Sequence, residues 1–264
     1  MNTSGEAVIC TKDLRMSFGE NEVLKGIDLD VFKGQIIGYI GPNGAGKSTT
    51  VKLMLGILEG FEGEIRIFGE DITNGNIDYK RRIGYVPEST EVYDSLTAQE
   101  YLNFTGELYG LEHNIVDSKA KELMSLFGIE DVYTSRISSY SKGMRQKLLI
   151  ISSILHDPDI LFFDEPMSGL DANSVMIFKE IMSSLAARGK TIFYSSHIMD
   201  VVEKISSRII LINEGRIIAD GSFEELKQKS REGSLEEIFN QLTGFDRHKE
   251  IAEKIISVIK EVQQ

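Results

Sequence analysis

The chain's 264 residues carry 29 Lys and Arg against 41 Asp and Glu, a net charge of −12. That balance argues against nucleic acid as the main partner, because phosphate backbones recruit basic stripes. With 41% hydrophobic residues the chain can bury an ordinary core, yet no apolar run reaches the ~18 residues that a membrane span needs. Its one cysteine, Cys10, excludes an internal disulfide, and a buried structural thiol in a reducing compartment is expected. Met1 to Glu6 is polar and lacks the basic and apolar regions of a signal peptide. We therefore expect a cytosolic chain, any membrane association of which must run through a partner.

In chain order, Ala7 to Thr11, Val23 to Phe32 and Gly63 to Phe68 read as half-buried strands, the second with Ile27, Leu29 and Val31 alternating against Asp28 and Asp30. Near-continuous apolar runs at Gln35 to Ile40, Ile160 to Phe163 and Thr191 to Tyr194 suit parallel strands buried on both faces. Ser48 to Leu58 reads as a helix. From Leu96 to Leu155 the spacing turns helical, with Leu123, Leu126 and Phe127 on one face and Met144, Leu148, Ile151 and Leu155 on another, stopped by Asp157-Pro158. Ile209 to Ile212 and Ile217 to Ala219 flank an Asn213-Glu214-Gly215-Arg216 turn and read as a hairpin. Beyond Ser222 short helices are expected, the last with Ile251, Ile255, Val258 and Val262 on one stripe. That stripe is expected to pack on its own domain, the alternatives being a second chain of the same kind or a membrane protein.

The chemistry begins at Gly41-Pro42-Asn43-Gly44-Ala45-Gly46-Lys47-Ser48, followed by Thr49, which fits G-x-x-x-x-G-K-[ST] between a strand and a helix. The glycines let successive N–H groups converge on an anion, and the positive end of the next helix faces the same point. Lys47 adds a mobile charge for the outer phosphates, and the Ser48 hydroxyl can ligate Mg²⁺. A nucleoside triphosphate is the implied ligand. Ile160 to Glu165 is an apolar strand ending in two acids, and such strands deliver their last residues to the sheet edge where ligands bind. Asp164 is placed to hold Mg²⁺ through water, and Glu165 to act as general base towards the attacking water. Some twenty residues earlier, Ser141 is a good N-cap, and Gly143 keeps the first helical turn open to an anion.

Together these motifs resemble the ATP-binding subunits of ABC transporters over about residues 7 to 222. The phosphate loop is similar to Walker A, Ile160 to Glu165 to Walker B, and Tyr140-Ser141-Lys142-Gly143-Met144 to the LSGGQ signature. Ser168-Gly-Leu-Asp171 resembles the D-loop, His197 the switch histidine that touches the γ-phosphate, and Phe18 the aromatic that stacks on adenine. The resemblance implies an α/β fold: a P-loop NTPase (RecA-like) core, an antiparallel β subdomain, an inserted helical subdomain at about 89–158 and a short helical C-terminal tail. Residues 1–222 would form the cassette and 223–264 the extension. It also implies ATP and Mg²⁺ as ligands, and head-to-tail pairing with a second cassette, another copy or a paralogous subunit. An integral membrane permease would receive the segment with Tyr93 and Leu96 to Glu100, placing the chain on the inner face of the membrane.

Three departures from the family pattern stand out. Glu88 replaces the usual glutamine, and either ligates Mg²⁺ or is a solvated loop acid. Lys142 replaces the signature's first glycine, and either adds a cation near the phosphates or points to solvent. Phe18 lacks a hydroxyl, which stacking does not need. Glu88, Tyr140 to Met144 and the run Ser234 to Gly244 resemble cassettes of bacterial exporters for drugs, antibiotics and sodium. An importer cassette is the alternative within the family. Soluble relatives in translation or DNA repair usually carry two cassettes, coiled coils or basic surfaces, none visible here. A small-molecule kinase would leave the signature and the Asp164-Glu165 pair unexplained.

Overall fold

The structure, a computed structural model, describes residues 7–230, 233–244 and 248–261. Met1 to Glu6 and Val262, read above, lie outside the described residues. Two sheets organise the chain. Strands β1 (Ala7–Phe18), β2 (Asn21–Phe32), β4 (Glu62–Ile67) and β5 (Glu70–Asp71) form an antiparallel sheet in the order β2-β1-β4-β5. The second sheet takes β3 (Ile36–Ile40), β6 (Ile83–Val86), β7 (Ile160–Asp164), β8 (Thr191–Ser195), β9 (Arg208–Asn213) and β10 (Arg216–Gly221) in the order β10-β9-β3-β8-β7-β6. All of its pairings are parallel except the β9–β10 hairpin. Glu214 and Gly215 carry that hairpin with φ of 47° and 77°, the two positive values a tight primed turn requires.

Strands β3, β7 and β8 are buried at every position, so alternate side chains serve two cores. Ile37, Tyr39, Phe162 and Phe193 face helix α1 (Lys47–Met54) and the antiparallel sheet, meeting Val51, Leu53, Ile9 and Leu14. Ile36, Ile40, Phe163 and Tyr194 face the opposite way, where α4 (Lys142–Ile154) and α5 (Ala172–Ala187) bring Leu148, Ile151, Phe178 and Met182. Helices α2 (Ala98–Leu108) and α3 (His113–Leu126) pack with α4 as a helical lobe. Helices α6 (Met199–Ile205), α7 (Phe223–Ser230), α8 (Leu235–Thr243) and α9 (His248–Glu261) complete the chain. Among the described residues no helix is long and apolar enough to cross a membrane.

Several expectations are corrected. Helix α1 stops at Met54 rather than running to Leu58, because Gly56 at φ 60° turns the chain back, with its N–H on Leu53 O and that of Ile57 on Lys52 O. Leu126 is exposed while Phe127 is buried; α3 buries Val116, Ala120 and Met124, and Leu126 lies about 200° around the helix from Met124. Cys10 is only partly buried, and burial together with Asp30 pushes its thiol up to about 11. The expected packing of the last helix on its own domain is not seen among the described residues: every side chain from 251 to 259 of α9 is exposed.

Candidate functional site

Because β3, β6, β7 and β8 run parallel, their last residues meet at one edge of the sheet. Ile40 hands over to the phosphate loop, Val86 to Glu88, Asp164 to Glu165 and Ser195 to His197. The loop needs its glycines for space as well as for backbone freedom. A Cβ on Gly41 would sit 2.3 Å from Ile212 O, and one on Gly46 2.5 Å from Leu24 Cδ2. Gly46 is the residue before α1 and adopts φ 107°, which L side chains rarely reach. The first N–H groups of α1 then have no partner in their own helix and point at the loop's concave side.

Glu88, Asp164 and Glu165 join Asn43, Gly44, Gly46, Lys47, Ser48, Thr49 and Val23 around one cavity of about 330 Å³. Lys47 Nζ donates to Gly41 O at 2.7 Å and Pro42 O at 3.1 Å, so its amine is held over its own loop. Burial pushes that amine below its usual range, while Glu165, Asp164 and Glu88 pull it back up. Asp164 is 2% exposed and accepts a short hydrogen bond from the Ser195 hydroxyl. The next residue is bound by the same serine, since Glu165 N–H donates to Ser195 O at 3.2 Å and lies 3.3 Å from Ser195 Oγ. Glu165 itself sits at φ 49°, a left-handed conformation that costs a non-glycine residue about 1–3 kcal/mol. That turn aims its carboxylate towards His197, whose Nδ1 is 2.8 Å from Glu165 Oε2.

The turn at Ser141 to Met144 is absent from this cavity's lining. Ser141 caps α4 by accepting from Met144 N–H at 3.2 Å, and the Lys142 and Gly143 N–H groups of the first turn have no partner within the helix. Lys142 Nζ donates to Ser168 Oγ at 2.9 Å. Gly143 packs on the same loop, where an added Cβ would lie 2.6 Å from Gly169 O. Asp171 closes that loop by capping α5, accepting from Ser174 N–H at 2.9 Å and Ser174 Oγ at 2.6 Å. Those bonds hold its carboxyl down at about 2. Arg145, one turn into α4, bonds Tyr140 O and makes a short contact with Asp94 in the loop that follows Glu88.

The structure therefore gathers the loop residues, Glu88, Asp164, Glu165 and His197, and keeps Ser141, Lys142, Gly143 and Met144 apart from them. Phe18, at the end of β1, is 49% exposed and outside the cavity lining. Pro42 and Ala45 shape the loop through backbone bonds, Ala45 N–H donating to Pro42 O at 3.2 Å. Two contributors escaped the sequence reading. Val23 reaches the cavity from the antiparallel sheet, and only tertiary packing brings it there. Ser195 anchors both acids, and an apolar strand ending in serine carries no local mark of that role.

The family model described as ABC transporter matches residues 24–168. The chain is similar, at 38% identity over 219 residues, to the ABC transporter ATP-binding protein NatA of Bacillus subtilis (strain 168), covering 83% of this chain and 89% of that one. It is 36% identical over 227 residues to the daunorubicin/doxorubicin resistance ATP-binding protein DrrA of Streptomyces peucetius, covering 86% of this chain and 69% of that one. A solved structure described as the ATP binding subunit of an ABC transporter superimposes with a TM-score of 0.84 at 32% identity, covering 89% of this chain and 99% of that one.

Proposed function

The chain belongs to the ABC transporter family as an ATP-binding subunit and ATPase, and from that premise we propose how its residues divide the work. Residues 1–222 form the cassette, with the helical subdomain at 89–158, and 223–264 extend it. The observation that carries the reading is a separation. Lys47, Ser48, Glu88, Asp164 and Glu165 ring one cavity, while the turn at Ser141 to Met144 presents its donors elsewhere. Each chain thus owns two unlike halves of a site, and a second copy packed head to tail supplies the missing one to each nucleotide.

On this reading the loop N–H groups and Lys47 take the phosphates, Lys47 leaving Gly41 O and Pro42 O for them. Phe18 stacks on adenine. Among the described residues no three His, Cys, Asp or Glu side chains stand ready to hold a metal alone. A serine hydroxyl and two carboxylates fit a hard cation that shares phosphate oxygens and water. Ser48, Glu88 and Asp164 would hold Mg²⁺, which when bound neutralises charge on the transferred phosphoryl group. Glu165 accepts the proton of the attacking water, and His197 keeps that carboxylate aimed. The partner's copy of the turn at 141–144 adds donors that a γ-phosphate rewards and a γ-less nucleotide does not, so ATP favours the closed pair.

Closure reaches the permease through loop 88–96. That loop is tied to the signature by Ser138 N–H on Asp94 O at 3.0 Å, Ile137 N–H on Leu96 O at 2.9 Å, and Arg145 on Asp94. Its Tyr93 is 64% exposed, available to a membrane subunit on the inner face of the membrane. Export is the direction proposed, supported by Glu88, by Ser234 to Gly244 and by relatives named for multidrug, bacitracin and daunorubicin/doxorubicin transport or resistance. The test is Glu165→Gln. It should keep ATP binding, lower turnover by roughly 10²–10⁴ and accumulate an ATP-bound dimer; wild-type turnover in that variant would remove Glu165 from the base role.

A further inference from the structure

Helix α9 exposes five large apolar side chains within nine residues: Ile251, Ile255, Ile256, Val258 and Ile259 are 45%, 55%, 52%, 59% and 59% exposed. A contiguous exposed apolar face of this kind marks an interaction surface. Its spacing is informative. Ile251, Ile255 and Val258 step by four and then three, the alternation of the two seam positions in a heptad.

Two occupants of stated chemistry compete for that face, a lipid surface and a second copy. Helices that lie on membranes load their polar face with Lys and Arg. Here Lys249, Lys254 and Lys260 are balanced by Glu250, Glu253 and Glu261, so the segment offers an anionic bilayer no net attraction. A second copy needs no such charge, and it fits in one orientation. Set antiparallel, Ile255 meets the other copy's Val258 and Val258 its Ile255, so the seam matches itself about a two-fold axis. One flank then brings Ala252 to Ile259, apolar on apolar. A parallel pair would place Lys254 against Ile259 and lose that match.

We propose that α9 of one copy packs antiparallel on α9 of a second, holding two cassettes together whether or not nucleotide is bound. The inference goes beyond the ATP-dependent closure and does not depend on it. Fourteen residues make a helix roughly 21 Å long, which is marginal by itself, so the pairing is reversible. Its effect is to keep the opened cassettes at high effective concentration for the next closure.

Sedimentation of the full chain without nucleotide over a dilution series tests this. A reversible dimer is expected, and Ile255→Glu with Val258→Glu should weaken it by roughly tenfold or more by placing charge in the seam. Both positions are exposed, so the cassette's own packing is untouched. Monomers at every concentration, as if α9 docked on its own chain or awaited the permease, would overturn the proposal, and so would a dimer indifferent to the double variant. The ATP-dependent dimer of Glu165→Gln should survive those two changes, which separates this idea's failure from that of the ATP-sandwich. Orientation is read by disulfide cross-linking with Cys10→Ser in the background. Copies carrying Ile255→Cys should cross-link to copies carrying Val258→Cys in preference to themselves, and dominant 255–255 products would overturn the antiparallel arrangement. Co-sedimentation with phosphatidylglycerol vesicles that the double variant abolishes would assign the face to lipid instead.

Discussion

The cavity around Lys47 and the turn at Ser141 differ in how their polar groups are engaged within the chain. In the cavity three charged groups have local anchors: Lys47 on two loop carbonyls, Asp164 on Ser195, Glu165 on His197. At the turn the Lys142 side chain leans on the D-loop, while the first N–H groups of α4 have no partner within their helix. A helix start costs little to expose in water, but its dipole and donors are well suited to a desolvated anion. On the proposed reading, the contrast divides the chain into a pocket and a plug for another copy's pocket.

The largest effect that sharpens the contrast falls on the pocket. Lys47→Ala removes a charge-assisted hydrogen bond to the phosphates, about 1.5–3 kcal/mol, and should loosen ATP roughly tenfold to a hundredfold by titration calorimetry. An unchanged Kd would break the phosphate assignment. A smaller effect is expected on the plug side. Lys142→Ala frees Ser168 from its 2.9 Å contact, which should lower turnover a few-fold while leaving nucleotide affinity in the isolated chain unchanged. A change in that affinity would place Lys142 in the pocket and erase the distinction.

The smallest effect lies where helical lobe meets core. His156 stacks on Tyr109 at 3.6 Å with its Nε2 3.0 Å from Ile83 O, so that nitrogen carries the proton, and the buried Nδ1 has no partner among the described residues. Burial lowers its pKa below the ordinary 6.5. The unfolded chain therefore binds the extra proton first, and the stability tied to the neutral ring is present above about pH 6.5 and lost as pH falls through the folded value. His156→Phe should flatten the fall in melting temperature on acidification from pH 8 to about 5. A slope as steep as that of the parent would assign the acid sensitivity elsewhere.

Much of this was legible in order along the chain. The loop Gly41 to Ser48, the acids closing β7 and the serine that caps α4 each have a local chemical reason that needs no neighbour. What local pattern did not carry was tertiary. Leu126 matches helical spacing, but the burial of Met124 set the register of α3. The contact of Lys142 with Ser168 joins positions 26 residues apart, and no periodicity encodes it. The apolar stripe of α9 was visible, whereas its exposure depended on what the rest of the fold left beside it.

Two broken copies test the central claim most directly. Glu165→Gln leaves a sound plug on a dead pocket, and Ser141→Arg leaves a sound pocket beside a spoiled plug. Each alone should be nearly inactive. Mixed, they form pairs in which the intact pocket of one meets the intact turn of the other, and ATP hydrolysis should reappear in proportion to the mixed dimer. A mixture no more active than its components would contradict a site shared between two chains.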